Sequence, residues 1–330
     1  MWLKSRRIVS RSRFLLLVLI IPLAACSKPE KPSPAAFASP DDASNALRAA
    51  VRSGDQNALL AAAKSADQNA LLAIFGPDSK EVIFSGDPVQ DKNAGTAFVA
   101  GYGVMHRWRK MPDGGQILLI GADNFAFPIP LEKNTGGQWF FDTAAGKEEI
   151  LNRRIGRNEL AIIEVCGAVA DAQAEYFSQP HDGATTNQYA AKFISDPGKQ
   201  NGLSWKSPEG QPEGPLGPLA ASASSDGYST KPDAQSAFHG YFFRMLKGQT
   251  DRATGGAKDY LVDGKMIGGF AFVAYPAKYG NSGVMTFIIN QDGVLLQRDL
   301  GKTTTDIATA MTKFDPDASV GWKPVEESEQ

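Results

Sequence analysis

The residues best suited to chemistry in this chain are three histidines, two cysteines and one dense run of charge. His106, His181 and His239 are far apart, and none sits in an H-E-x-x-H or similar metal-ligand spacing, so no metal site is expected. No G-x-S-x-G elbow, P-loop or complete G-x-G-x-x-G is present, and Gly101-Tyr102-Gly103 is only a fragment of the last. Asp292-Gly293 and Asp315-Pro316-Asp317 lack the oxygen density that calcium needs. The expectation is therefore no catalytic residue and no cofactor. Glu148, Glu149, Arg153, Arg154, Arg157 and Glu159 fall within twelve residues. Such arginines could hold an anion. The pattern favours a solvated helix face laced by pairs such as Glu149–Arg153, each worth about 0.2–0.5 kcal/mol. His239-Gly240-Tyr241 opens a strand that also carries Arg244. Arg153, Arg154, Asn158 and His239 are the candidate binding residues, grouped where two halves of the chain would meet.

The stretch that must position them runs from Gly136 to Phe177. Trp139-Phe140-Phe141 reads as a strand and Asp142 or Thr143 as a helix cap. Ile155, Ile162, Cys166, Val169 and Tyr176 recur at helical spacing, widened by Leu160, Ile163 and Ala170. From Lys147 to Phe177 an unbroken helix would be about 45 Å long. Gly156 reads as a possible kink and Gly167 as a close approach of another backbone. Cys166, on the apolar face, reads as a small buried hydrophobe.

The N-terminus is the most specific signal. Lys4, Arg6, Arg7, Arg11 and Arg13 precede the apolar run Phe14–Pro22, too short to span about 30 Å of hydrocarbon, so residues 1–25 read as a secretory signal. Leu23-Ala24-Ala25-Cys26 resembles the bacterial lipobox, which implies cleavage before Cys26 and lipidation of that residue. The proline-rich segment to Asp42 reads as a disordered tether. Ser27 after the cysteine points, by analogy with lipoprotein sorting, to the periplasmic face of an outer membrane where the host has one. Five of the 34 basic and none of the 36 acidic residues precede Cys26, so the remainder carries about −7. That charge argues against nucleic acid as a partner. The expected partners are the membrane, through the lipid, and another envelope protein.

Along the chain, Ala43–Phe75 is helical in pattern and contains the repeat Asp-Gln-Asn-Ala-Leu-Leu-Ala at Asp55 and Asp67, read as two short helices with Asp caps. A strand at Glu81–Ser85 and a glycine-weakened helix at Asp91–Met105 follow. Strands are expected at Met105–Met111, Gln116–Gly121, Phe125–Leu131 and Gln138–Asp142, making residues 43–145 a small helix-plus-antiparallel-sheet unit. After the long helix, residues 179–236 are irregular, with short helices at Tyr189–Ile194 and Leu216–Ser225. An antiparallel meander then runs through Gly240–Lys247, Gly268–Tyr275, Val284–Asn290 and Val294–Asp299. Gln291-Asp292-Gly293 marks a hairpin, Thr304–Phe314 a closing helix and Pro316 onward a tail. The fold class is α+β, with residues 146–320 as the second unit. Their order loosely resembles pilin and pseudopilin domains.

The runs FGPDSKEVIFSGDPV, WFFDTAAGKEEILNRRIGRNEL, DAQAEY, PLGPLAA, HGYFFRML, MIGGFAFVAYPAKYG and SGVMTFIINQDGV resemble the bacterial family called domain of unknown function 2950. The resemblance implies a secreted bacterial protein and supplies no reaction and no catalytic residue. The expected function is a non-enzymatic binding or scaffolding lipoprotein of the envelope. The alternative is a small-ligand-binding protein or hydrolase with its pocket between the two halves.

Overall fold

In the computed structural model, residues 33–57, 66–207, 213–229 and 237–326 are described. The signal segment, Cys26 and the first part of the tether lie outside them. Ser33–Gln330 cluster as one unit. No helix of the described residues is long and apolar enough to cross a membrane.

The first half opens where the tether was expected. Ala35 N donates to Ala73 O, and Phe37 exchanges both backbone bonds with Trp139 (2.7 and 2.8 Å). Paired chain therefore begins well before Asp42. Helix α1 (Pro40–Asn57) starts at Ser39, whose hydroxyl accepts from Asp42 N, and runs through Asp55 rather than being capped there. Helix α2 (Ala66–Phe75) follows. The expected strand at Glu81–Ser85 is instead a short helix, α3 (Lys80–Ile83). Three apolar residues in a row carry no periodicity, so helix and strand were indistinguishable there. Helix α4 (Pro88–Val104) is capped by Asp87 with Pro88 at its first position. Its Gly95 lets α1 approach: a Cβ there would lie 3.1 Å from Val51.

The first sheet comprises β1 (His106–Lys110), β2 (Gln116–Ile120), β3 (Phe125–Ala126), β4 (Leu131–Lys133) and β5 (Trp139–Phe141). Its order is β1-β2-β4-β5, antiparallel, with β3 beside β2. The single strand expected over Phe125–Leu131 is split because Pro128 and Pro130 offer no ladder donor. Leu47, Phe75, Ile129, Leu131 and Phe141 form the core between this sheet and α1 and α2.

Helix α5 (Thr143–Phe177) is continuous, about 52 Å at roughly 1.5 Å per residue. Asp142 caps it, accepting from Ala145 N at 3.0 Å. A Cβ on Gly167 would meet nothing within 4 Å, so the close approach expected there is not found, and the helix runs unbroken through Gly156. The close approach is at Gly146, where a Cβ would lie 2.7 Å from Pro128 O. Ile162, Val165, Cys166, Val169, Ala172 and Tyr176 are buried, whereas Leu160 is 62% exposed and does not widen the apolar face.

Residues 179–216 contain no helix at Tyr189–Ile194; that stretch is irregular, bending at Ala191 and Phe193, with Ile194 bridged to Ser204. Gln173 on α5 holds it, giving and accepting one bond with the backbone of Ala190 (both 2.9 Å). Helix α6 (Gly217–Ser225) comes next. Then follow β6 (Tyr241–Leu246), β7 (Gly248–Gln249), β8 (Lys258–Asp259), β9 (Leu261–Val262), β10 (Lys265–Met266), β11 (Ala271–Pro276), β12 (Met285–Asn290) and β13 (Leu296–Asp299). The closing helix is shorter than expected, α7 (Thr304–Ala310), and is followed by β14 (Lys313–Phe314). The expected tail instead adds β15 (Lys323–Pro324) to the sheet and buries Trp322. The second sheet runs β15-β13-β12-β11-β6, antiparallel throughout. One face, with Phe243, Phe272 and Phe287, packs with Ile162, Val165 and Val169 of α5 in a single core. The architecture is α+β.

Candidate functional site

The buried stripe of α5 changes character along its length. Ile162, Val165, Val169 and Tyr176 are apolar, but Asn158 and Arg154 occupy the same stripe one and two turns earlier and are also buried. They meet α3 and the first turn of α4 on one side and the turn between β11 and β12 on the other. Arg154 donates to Asn281 Oδ1 (2.5 Å) and Val82 O (2.6 Å). Asn281 in turn donates to Glu81 O. Asn158 donates to Ser282 O and accepts from Gln90 Nε2, both at 2.8 Å.

Asp87 completes this joint and was not among the residues picked from the sequence. It is fully buried, and its carboxylate accepts four hydrogen bonds. Oδ1 takes Val89 N and Gln90 N at the start of α4, both at 3.1 Å. Oδ2 takes Tyr228 OH at 2.8 Å and Gly240 N at 3.0 Å. The signal for it was the Asp87-Pro88 pair, a cap followed by proline at the first helical position. Gly240 has φ +75°, and a Cβ on it would lie 2.6 Å from Asn158 Nδ2, so only glycine fits. His239 beside it is half-buried, its ring 4.3 Å from that of Phe238 and 5.7 Å from that of Tyr228.

Burial dominates the ionisation of these groups. It lowers the pKa of His239, with Asp87 opposing, and lowers that of Arg154, with Asp91 opposing. It raises that of Asp91, against the bonds from Ser85, and raises that of Tyr228, helped by the bond to Asp87. The joint thus brings three of the four sequence candidates together, with Arg154 and Asn158 bonded to Asn281, Gln90 and the backbone of Val82 and Ser282. Arg153 is elsewhere, exposed, paired with Glu149 at 2.6 Å and lying over the Phe125 ring.

The space is next to the joint, inside the second half. A cavity of about 580 Å³ lies between α5 (Val165, Val169), the irregular segment at Phe193, α6 (Leu219, Ala223) and β6. Tyr228 and Phe238 form the wall it shares with the joint. Its surroundings are overwhelmingly aliphatic and aromatic, with Lys192, Arg244 and Lys247 as the cationic residues at its border. Lys192 is held by Asp196 at 2.7 Å. Sequence reading missed this cavity because α6 and the wall at Phe193 lie in the irregular stretch of residues 179–236. A shallower hollow of about 410 Å³ lies where α5 (Lys147, Leu151, Asn152) meets Gly280 and Val284.

Among the described residues, no group of three or more His, Cys, Asp or Glu side chains is arranged to hold a metal ion. A family model described as protein of unknown function (DUF2950) matches residues 34–325. No curated protein and no solved structure matches the chain.

Proposed function

Because the chain belongs to the DUF2950 family, whose description names no reaction, its own geometry has to carry the assignment, and we propose a non-enzymatic binding protein of the bacterial envelope, anchored by lipid at Cys26. The ligand seat in this reading is the apolar cavity bounded by α5, α6 and β6. The observation that carries it is the contrast between two neighbouring regions. Arg154, Asn158 and Asp87 are bonded to neighbouring protein groups at the joint, while an apolar space large enough for a small ligand lies beside them. The joint serves as the rigid wall of the seat through Tyr228.

The test is binding of the fluorescent probe anilinonaphthalene sulfonate to the folded protein and to an Ala220→Trp variant. Ala220 sits on α6 at the cavity wall, and tryptophan there projects a large ring into the space. The wild type should bind the probe saturably, and the variant should not, with its melting transition retained. Equal binding by both would overturn the assignment. The anchor is tested separately: mass spectrometry of the protein from cell envelopes should show Cys26 acylated at the N-terminus, and an unmodified Cys26 on a freely released protein would refute it.

A further inference from the structure

The cavity borders hydrogen-bonding groups that its apolar walls do not use. Strand β6 is the outer strand of its sheet. Gly240 O accepts from Ala277 N, and Phe242, Arg244 and Leu246 continue on that side opposite Tyr275, Val273 and Ala271. The intervening residues therefore point their N–H and C=O groups away from the sheet. Tyr241 exchanges both of its outward bonds with Phe238, at 3.0 and 2.9 Å. At the other end Lys247 N donates to Thr312 O and Lys247 O accepts from Tyr260 N. Between them, Phe243 and Met245 make no outward backbone bond among the described residues, and both line the cavity.

Resting on the reading of the cavity as a ligand seat, we propose that its ligand is the short, extended C-terminal end of a polypeptide. That end adds as a strand to Phe243–Met245 and places an apolar side chain in the cavity. Unpaired strand edges recognise extended backbone, while adjoining pockets select alternate side chains. The open edge is about 10 Å long at roughly 3.3 Å per residue, and the chain's own backbone at Phe238 and Thr312 closes both ends of it. A strand cannot run on past those points, which selects a chain end. Charge selects which end. Lys247 shares the cavity-side face with Phe243 and Met245, and no ion pair of Lys247 is found among the described residues. A terminal carboxylate on a strand parallel to β6 arrives beside it. Arg244 points to the other face, where it donates to Ala308 O and Met311 O.

A fatty acid would suit the apolar walls but has no use for the Phe243 and Met245 amides, and the experiment separates the two. Acetyl-Val-Leu-Val with a free carboxylate is titrated into the protein and followed by amide NMR. The Phe243 and Met245 amides should shift and exchange more slowly. N-methylation of the peptide's central amide should weaken binding about five- to tenfold. Met245→Pro should do the same, because it removes an outward N–H and leaves the ladder bonds of Arg244 and Leu246 in place. A retained cooperative melt shows that this variant is folded. Equal affinity for the N-methylated peptide, or unmoved amides, would overturn strand addition. Equal affinity for the C-terminally amidated peptide would overturn the choice of a chain end. Binding of dodecanoate without binding of peptide would refute the peptide ligand and keep the cavity as a seat. Binding of neither would refute both.

Discussion

Replacing Asp87 by alanine removes the acceptor on which two parts of the protein converge. Its carboxylate caps α4 through Val89 N and Gln90 N and ties in Tyr228 and Gly240 from the second half. Loss of the cap costs about 1 kcal/mol. The Tyr228 hydroxyl and the Gly240 N–H are then left buried without an acceptor, at about 1–3 kcal/mol each. The sum is about 3–7 kcal/mol, a large part of the roughly 5–15 kcal/mol that holds a typical protein folded. Asp87→Asn is milder for a definite reason. Its amide oxygen keeps the cap, and the Tyr228 hydroxyl can rotate to accept from the new NH₂, leaving only the Gly240 N–H unpaired. The expected loss is about 1–3 kcal/mol. Equilibrium urea unfolding measures both variants. A loss below about 1 kcal/mol for the alanine variant, or no gap between the two, would refute the account of the joint.

Glycines at two positions should respond with opposite sign. Gly240→Ala forces a side chain into left-handed backbone and against Asn158, costing about 2–4 kcal/mol, whereas Gly167→Ala on the open side of α5 should gain about 0.5–1 kcal/mol in the same unfolding assay. Burial holds the folded-state pKa of His239 below its ordinary value, so the unfolded chain takes up its proton first as pH falls. Stability should therefore drop as pH falls below the usual histidine range, and His239→Gln should flatten that part of the melting-temperature profile; an unchanged slope would contradict the burial. Cys166 is fully buried, and burial pushes its thiol pKa up, so iodoacetamide should label it only on unfolding. Rapid labelling of the native protein would show that the helix face is open.

Much of the scaffold was written in local patterns. The rhythm of Ile162, Cys166, Val169 and Tyr176 marked α5, Asp142 marked its start, and the Gln291-Asp292-Gly293 turn marked the β12–β13 hairpin. Arg154 and Asn158 were picked for their polarity, but their place on the same stripe as Ile162 already indicated burial, and burial turns such residues into structural ties. What was illegible depends on contacts distant in sequence. Nothing near Tyr228 foretells its bond to Asp87, and nothing near Lys323 foretells that it extends a sheet edge. The cavity arises where α6, the segment at Phe193 and the free side of β6 face one another across long separations, so no single stretch encodes it.

The most direct test is to follow methyl resonances while an apolar probe such as anilinonaphthalene sulfonate is added to the protein. The account predicts shifts concentrated on Val165, Val169, Leu216 and Leu219 around the cavity, with Val82 and Ile83 at the joint unmoved. Shifts centred on Val82 and Ile83, or none at all, would contradict it.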